Sequence, residues 1–193
     1  MTDMNFCPQC GGPLVQHMLG GEPRNHHYCE RCQNRLYDHP RVVVTCFVAY
    51  EKQLLWVQRD LQPQSGLWAI PGGFLENAET LAEGAARELY EEAGVGINAR
   101  QLQLYMTGTI TFINQIYVAF RATVDSDACT AGVESRDCGF FSRDQCLWDK
   151  VAYPQVNDSI VQAYDDLDSG HFQVWQAEMT ESHYQLQPVV TGP

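Results

Sequence analysis

Residues 73–95 read GFLENAETLAEGAARELYEEAGV. Glu88, Glu91 and Glu92 stand at i, i+3 and i+4, so a helix carries all three carboxylates on one stripe within a single turn. Carboxylates that close repel one another and call for a compensating positive charge. For an all-oxygen cluster the usual compensator is a hard divalent cation such as Mg²⁺ or Mn²⁺. The helix is delimited by its own residues. Thr80 and Glu83 form the S/T-x-x-E pattern of a capping box, and Gly94 suits the left-handed residue that ends a helix. Leu81, Ala85 and Leu89 are expected to turn inward.

Upstream, Arg41–Tyr50 (RVVVTCFVAY) has the β-branched, apolar profile of a buried strand. Leu54–Gln58 reads as its hairpin partner across Glu51-Lys52-Gln53. Leu67–Gly73 (LWAIPGG) is a short strand entering a Gly-rich bend. Downstream, strands are expected over Leu102–Thr111, Gln115–Val124 and Val133–Phe141. Val156, Ile160, Tyr164 and Leu167 give residues 156–167 helical spacing. A strand at Phe172–Trp175 and a loose tail follow.

The 193-residue chain has a formal net charge of −12, an unfavourable start for binding a phosphate backbone. That charge is confined to one part. Residues 1–41 hold four acidic residues and four Arg, whereas residues 42–193 hold twenty acidic and eight basic ones. A bound metal still permits a polyanion to bind an acidic body. No apolar run is long enough for a transmembrane helix, so no membrane partner is expected. The start MTDMNFCPQC lacks the basic-then-apolar layout of an export signal, so a reducing, cytoplasmic location is expected.

The eight cysteines divide in two. Cys46, Cys129, Cys138 and Cys146 are scattered. Cys7-x2-Cys10 and Cys29-x2-Cys32 fit the paired spacing of a zinc site. Four thiolates make the closed tetrahedral set of a structural Zn²⁺, with no open position for catalysis. Two disulfides or free thiols are the alternatives, and a reducing compartment disfavours the first. His26 and His27 are read as surface residues. The block also has the steps Gly11-Gly12 and Gly20-Gly21, the arginines Arg24, Arg31, Arg35 and Arg41, and a break at Asp38-His39-Pro40. With no net positive charge, nucleic acid is not an expected partner. Stabilising the fold, packing on the following domain and homodimerisation are the expected roles.

Gly73, Glu79, Arg87, Glu88, Leu89, Glu91, Glu92, Gly94 and Val95 fill every fixed position of the Nudix box, G-x5-E-x7-R-E-U-x-E-E-x-G-U, where U is bulky and aliphatic. The chain therefore resembles the Nudix hydrolases. The resemblance implies a Nudix α/β/α sandwich, of α/β (α+β) class with a mixed sheet, over residues 40–170. A small four-cysteine zinc ribbon over 1–39 would precede it, and a C-terminal extension over 171–193 would follow. It also implies metal-dependent hydrolysis of a nucleoside diphosphate linked to another moiety. Glu88, Glu91 and Glu92 would be the metal ligands, and Arg87 would orient them in an ion pair with Glu79. A backbone carbonyl of Gly72 or Gly73 can approach the metal or substrate, because glycine has no Cβ.

On spacing alone, a solvated acidic helix face fits these glutamates as well; the Gly bend and the full motif favour the metal site. Outside the box, Glu134 in Gly132-Val133-Glu134-Ser135 sits where the family often carries its general base. An exposed loop carboxylate is an equal alternative, and Glu76 has a weaker claim. Arg59 is a candidate phosphate contact or an ordinary surface ion pair. Trp68, Phe74, Phe112 and Tyr117 are candidates for stacking on a base, although core packing is the commoner role.

Two zinc-ribbon groups of the family compete. NADH pyrophosphatases carry a signature of the type SQPWPFPxS after the box, and the corresponding region here reads LYMTGTITFINQIYVAF. Proteins resembling plant FAD and ADP-ribose pyrophosphatases share the ribbon, Pro71-Gly72-Gly73, Phe120-Arg121-Ala122 and the Gly-x-Glu-Ser loop. An ADP-ribose- or FAD-type substrate is therefore expected. Alternatives are an NADH, nucleotide-sugar or dinucleoside-polyphosphate pyrophosphatase, and a non-catalytic ligand-sensing module.

Overall fold

The computed structural model describes residues 4–18 and 25–189. The Gly20-Gly21 step, Arg24 and the end of the expected tail lie outside them. The chain divides into two compact units, Met1–Pro40 and Arg41–Pro193.

In the first unit, β1 (Leu14–Met18), β2 (Asn25–Cys29) and β3 (Arg35–Leu36) form an antiparallel sheet in that order. The Cys7 N–H donates to Gly12 O and the Gly11 N–H to Cys7 O, each at 2.8 Å, closing a tight knuckle before β1. His26 and His27 are half-buried rather than on the surface, and the His26 ring lies 4.9 Å from that of Tyr37.

The second unit is built on β4 (Arg41–Tyr50), β5 (Gln53–Arg59), β6 (Trp68–Ala69), β7 (Gly72–Phe74), helix α1 (Leu81–Ala93), β8 (Gln103–Ile110), β9 (Gln115–Thr123), β10 (Ser135–Ser142), helix α2 (Asn157–Ser169), β11 (Trp175–Met179) and β12 (Tyr184–Pro188). The sheet order is β10-β5-β4-β9-β8-β11-β12, with β6 on β5 and β7 on β4. The β4–β9 and β8–β11 pairs are parallel and the others antiparallel, so the sheet is mixed.

Alternation along the strands splits the core into two layers. Val44, Cys46 and Val48 of β4 pack with Ala85, Leu89 and Ala93 of α1. Phe47 and Ala49 pack on the other side with Ile160, Ala163 and Tyr164 of α2. This is the expected sandwich. On the α2 side, buried Asp166 accepts from Tyr105 Oη and Trp175 Nε1 at 2.8 Å each, and from Gln162 Nε2 at 2.8 Å. It ties β8, α2 and β11 together.

Three expectations are corrected. Leu81 does not turn inward: it is 40 % exposed on the first turn of α1, and the buried stripe begins at Gly84 and Ala85. The strand expected from Val133 starts at Ser135, because Val133 and Glu134 occupy a turn in which the Ser135 N–H donates to Gly132 O at 3.1 Å. The strand expected at Phe172–Trp175 lies at Trp175–Met179, and the chain after it pairs as β12 rather than running loose.

Candidate active site

The catalytic candidates rest on α1, the bend before β7 and the turn before β10. Both bonds of the capping box form: Glu83 N–H donates to Thr80 Oγ1 at 3.3 Å and Thr80 N–H to Glu83 Oε2 at 2.8 Å. Gly94 ends the helix at φ 66°. These local bonds fix the phase of the carboxylate stripe.

β7 delivers the Gly bend against that stripe. The Gly72 N–H donates to Glu92 Oε2 at 2.8 Å. A Cβ on Gly73 would lie 2.6 Å from the Glu88 carboxylate, a contact only glycine avoids. Arg87 is shared among the acids. Its Nε and Nη2 bind Glu79 at 3.0 and 2.8 Å, its Nη1 binds Glu88 at 2.8 Å and Glu91 at 3.0 Å, and Nη2 also reaches Phe74 O at 3.1 Å. The pair with Glu79 is bidentate, the stronger geometry for such a contact. It holds the Glu79 carboxyl below its ordinary range.

Glu88 and Glu92 sit in the opposite situation. Burial raises the Glu88 pKa against the pull of Arg87. Burial pushes Glu92 up to about 7, and the charges of Glu88 and Glu134 add to it. Glu134 thus acts electrostatically on both, and Arg59 acts on Glu92 in the other direction. Glu88, Glu92, Gly72, Gly73, Glu134 and Arg59 are brought to one neighbourhood. Glu91 is more exposed and turned toward Arg87.

The turn carrying Glu134 is held by backbone alone. Gly132 N–H donates to Glu92 O at 3.1 Å, and Asp60 N–H donates to Glu134 O at 2.9 Å. The turn is therefore strapped to both α1 and the end of β5. Of the four aromatic candidates, Trp68 and Tyr117 belong to the core. Phe74 and Phe112 are exposed, Phe74 with the Arg41 guanidinium 4.5 Å from its ring centroid. Arg59 lies over Tyr153 at 5.5 Å, a contact the sequence reading missed.

The donor set at the bend is made of carboxylate oxygens, the chemistry of a hard divalent cation. Burial outweighs the pull of Arg87 on Glu88 and that of the Gly72 N–H and Arg59 on Glu92, and Gly73 leaves room where a side chain would block Glu88. The residues therefore fit a Mg²⁺ or Mn²⁺ site. Among the described residues, only the four N-terminal cysteines bring all their ligand atoms within 4.8 Å of one another.

The Cys7 and Cys32 sulfurs lie 3.6 Å apart and those of Cys10 and Cys29 3.5 Å apart, with no disulfide. A tetrahedral Zn–S length of about 2.3 Å implies sulfurs about 3.8 Å apart, so this cluster is compatible with zinc.

The NUDIX domain family model matches residues 39–162. The chain belongs to the Nudix family. A Nudix hydrolase crystal structure from Nitrosomonas europaea is 30 % identical, with a TM-score of 0.84 over 92 % of this chain and 100 % of that one. An NAD-capped RNA hydrolase, NudC, from Vibrio parahaemolyticus is 32 % identical over 64 % of this chain and 45 % of that protein. An ADP-ribose pyrophosphatase from Methanocaldococcus jannaschii is 41 % identical over 32 % of this chain and 36 % of its own length. This Nudix chain thus spans less than half the length of either curated relative. The two are named for different activities, so they do not fix a substrate for this chain. No described helix is long and apolar enough to cross a membrane.

Proposed function

We propose that the protein hydrolyses a nucleoside diphosphate linked to a second moiety, of ADP-ribose or FAD type, in a reducing, cytoplasmic setting. The observation that carries this reading is the complete box folded onto a Gly bend, with half-buried Glu88 and buried Glu92 beside a strapped Glu134. Residues 40–170 would be the catalytic domain, 1–39 a zinc-stabilised ribbon and 171–193 a C-terminal extension, whose strands Trp175–Met179 and Tyr184–Pro188 join the sheet.

Glu88, Glu91 and Glu92 would hold Mg²⁺ or Mn²⁺. Such a cation, when bound, neutralises diphosphate charge and acidifies water. Glu134 takes the proton of the attacking water. Attack at one phosphorus breaks the P–O–P bridge, and the other phosphate leaves with the bonding electron pair. ADP-ribose would give AMP and ribose 5-phosphate. Arg87 keeps the glutamates oriented through Glu79, and Arg59 meets phosphate charge.

A second reading, an NAD-type dinucleotide or NAD-capped RNA as substrate, is favoured by the similarity to NudC. The test is Mg²⁺-dependent turnover of ADP-ribose, FAD, NADH, NAD-capped RNA, diadenosine polyphosphates and nucleotide sugars. Preferred cleavage of ADP-ribose or FAD supports the first reading, and preferred cleavage of NADH or capped RNA the second. Tight binding with no turnover of any member would replace both with a ligand-sensing module.

A further inference from the structure

Arg59 ends β5 on a backbone fixed in both directions: its N–H donates to Leu67 O at 2.9 Å and its carbonyl accepts the Gly66 N–H at 2.7 Å. Val57 and Leu55, two and four residues before it, pack in the α1 layer. Strand alternation therefore turns Arg59 to the face of α1 and its carboxylates. The Glu134 turn lies alongside, since Arg59 pairs with Ser135 and the Asp60 N–H holds Glu134 O. The positive charge of Arg59 is felt at Glu92.

Arg87, Arg136 and Arg143 are each paired with a carboxylate. Arg59 is not: among the described residues no acid pairs with it, although the chain holds 24 acidic and 12 basic residues. Its Nε makes a long contact to Pro63 O at 3.4 Å, and Nη1 and Nη2 have no protein partner among the described residues. What else holds the guanidinium is the Tyr153 ring, with its centroid 5.5 Å from Arg59 Cζ.

That ring stands on anchored backbone. Val151 and Ala152 are buried, Val151 bridges to Trp68, and the Ala152 N–H donates to Trp68 O at 2.8 Å. Just after it, Pro154–Val156 make one 3-10 turn into α2, with the Val156 N–H donating to Tyr153 O at 3.0 Å. An aromatic ring can take the flat face of a guanidinium and leave its in-plane N–H fork free for phosphate.

We propose that Tyr153 is a positioning residue, whose ring braces the Arg59 guanidinium so that Nη1 and Nη2 meet the substrate diphosphate as a bidentate fork. Without the ring, Arg59 keeps its charge but must be ordered each time substrate binds, at a cost in side-chain entropy. The assignment rests on the hydrolase reading above and on the phosphate role given there to Arg59.

The experiment uses the full chain with Mg²⁺ and the panel substrate turned over fastest, at a temperature where thermal melts show every variant folded. It compares Tyr153→Leu, Tyr153→Phe, Arg59→Met, the double variant Arg59→Met/Tyr153→Leu and Glu92→Gln. Tyr153→Leu should lower kcat/KM about fivefold, the size of a part-exposed cation–π contact, and Tyr153→Phe, which keeps the ring, should retain most of it. Arg59→Met should lower kcat/KM tenfold or more, and adding Tyr153→Leu to it should cost nothing further, because the ring acts through the guanidinium. Wild-type kcat/KM in Tyr153→Leu, or an equal loss in Tyr153→Phe, overturns the assignment. So does a full further loss in the Arg59→Met background, which would mean that the ring acts independently of Arg59. If Glu92→Gln is inactive while Arg59→Met is unimpaired, the Tyr153 role fails and the hydrolase reading stands. Full turnover by Glu92→Gln, or none by wild type on any substrate, removes that reading and the assignment with it.

Discussion

Gly132 lies against the last turn of α1 so closely that a Cβ on it would overlap the carbonyl oxygen of Glu91. The contact lets Gly132 N–H reach Glu92 O, and so sets the height of the Glu134 turn over the helix. Gly132→Ala is therefore expected to lift the turn. Overpacking of this kind costs about 1–3 kcal/mol. Turnover should fall more than the stability loss explains, at temperatures where the variant is fully folded. Steady-state kinetics beside thermal melts check this; unchanged kcat would mean that the turn does not carry a reacting group.

Glu92→Gln should lower turnover by about a hundredfold or more, since both a metal ligand and a charge are lost. Circular dichroism of the variant should match wild type. Retained activity would remove Glu92 from the site.

The same residue gives the metal-free protein a pH signature. Its carboxyl is raised from 4.5 to about 7 in the folded state. The folded chain thus holds this proton more tightly than the unfolded chain. The contribution is fully present below about pH 4.5 and is lost as pH rises through about 7; a shift of that size corresponds to about 3 kcal/mol. Without metal, the melting temperature should fall across pH 5–8. Glu92→Gln should flatten that slope, and Mg²⁺ should restore wild-type stability at pH 8 more than it does for the variant. Melts with EDTA or Mg²⁺ decide it.

Asp166→Ala should cost about 2–4 kcal/mol, because Tyr105 and Trp175 would keep buried donors with no acceptor. Urea denaturation measures it. A cost below about 0.5 kcal/mol would show that water fills the gap.

The four cysteines should bind about one zinc per chain when the protein is produced in zinc-containing medium. Removing it should raise amide exchange over Asn25–Leu36 before it affects α1. Elemental analysis and exchange mass spectrometry test both statements.

Much of this was legible in the sequence because it is encoded locally. The caps of α1, the carboxylate stripe and the buried run of β4 each depend on residues a few positions apart. Leu81 misled because periodicity gives the phase of a helix but not how far the sheet extends beneath it. The Trp175-Gln176-Ala177-Glu178-Met179 alternation did carry a strand signal, and its odd positions are buried. It is only five residues long and pairs with the distant β8, so nothing nearby reinforced it. Tyr153 under Arg59 and the grip of Gly132 on Glu91 were out of reach for a related reason. Each depends on a partner that only the finished fold brings near.

The order of the strands has a consequence for how the molecule forms. Arg41 pairs with Gln115 and Met106 with Trp175, both in parallel ladders. No hairpin can zip either pair; the intervening chain must first be closed into a loop at an entropic cost. The middle of the sheet thus joins residues 74 and 69 positions apart, and the β5–β10 pair at its edge joins Arg59 to Ser135, 76 apart. Folding should be slow for a domain of this size, and until β11 docks, β8 keeps an unpaired edge open to other chains.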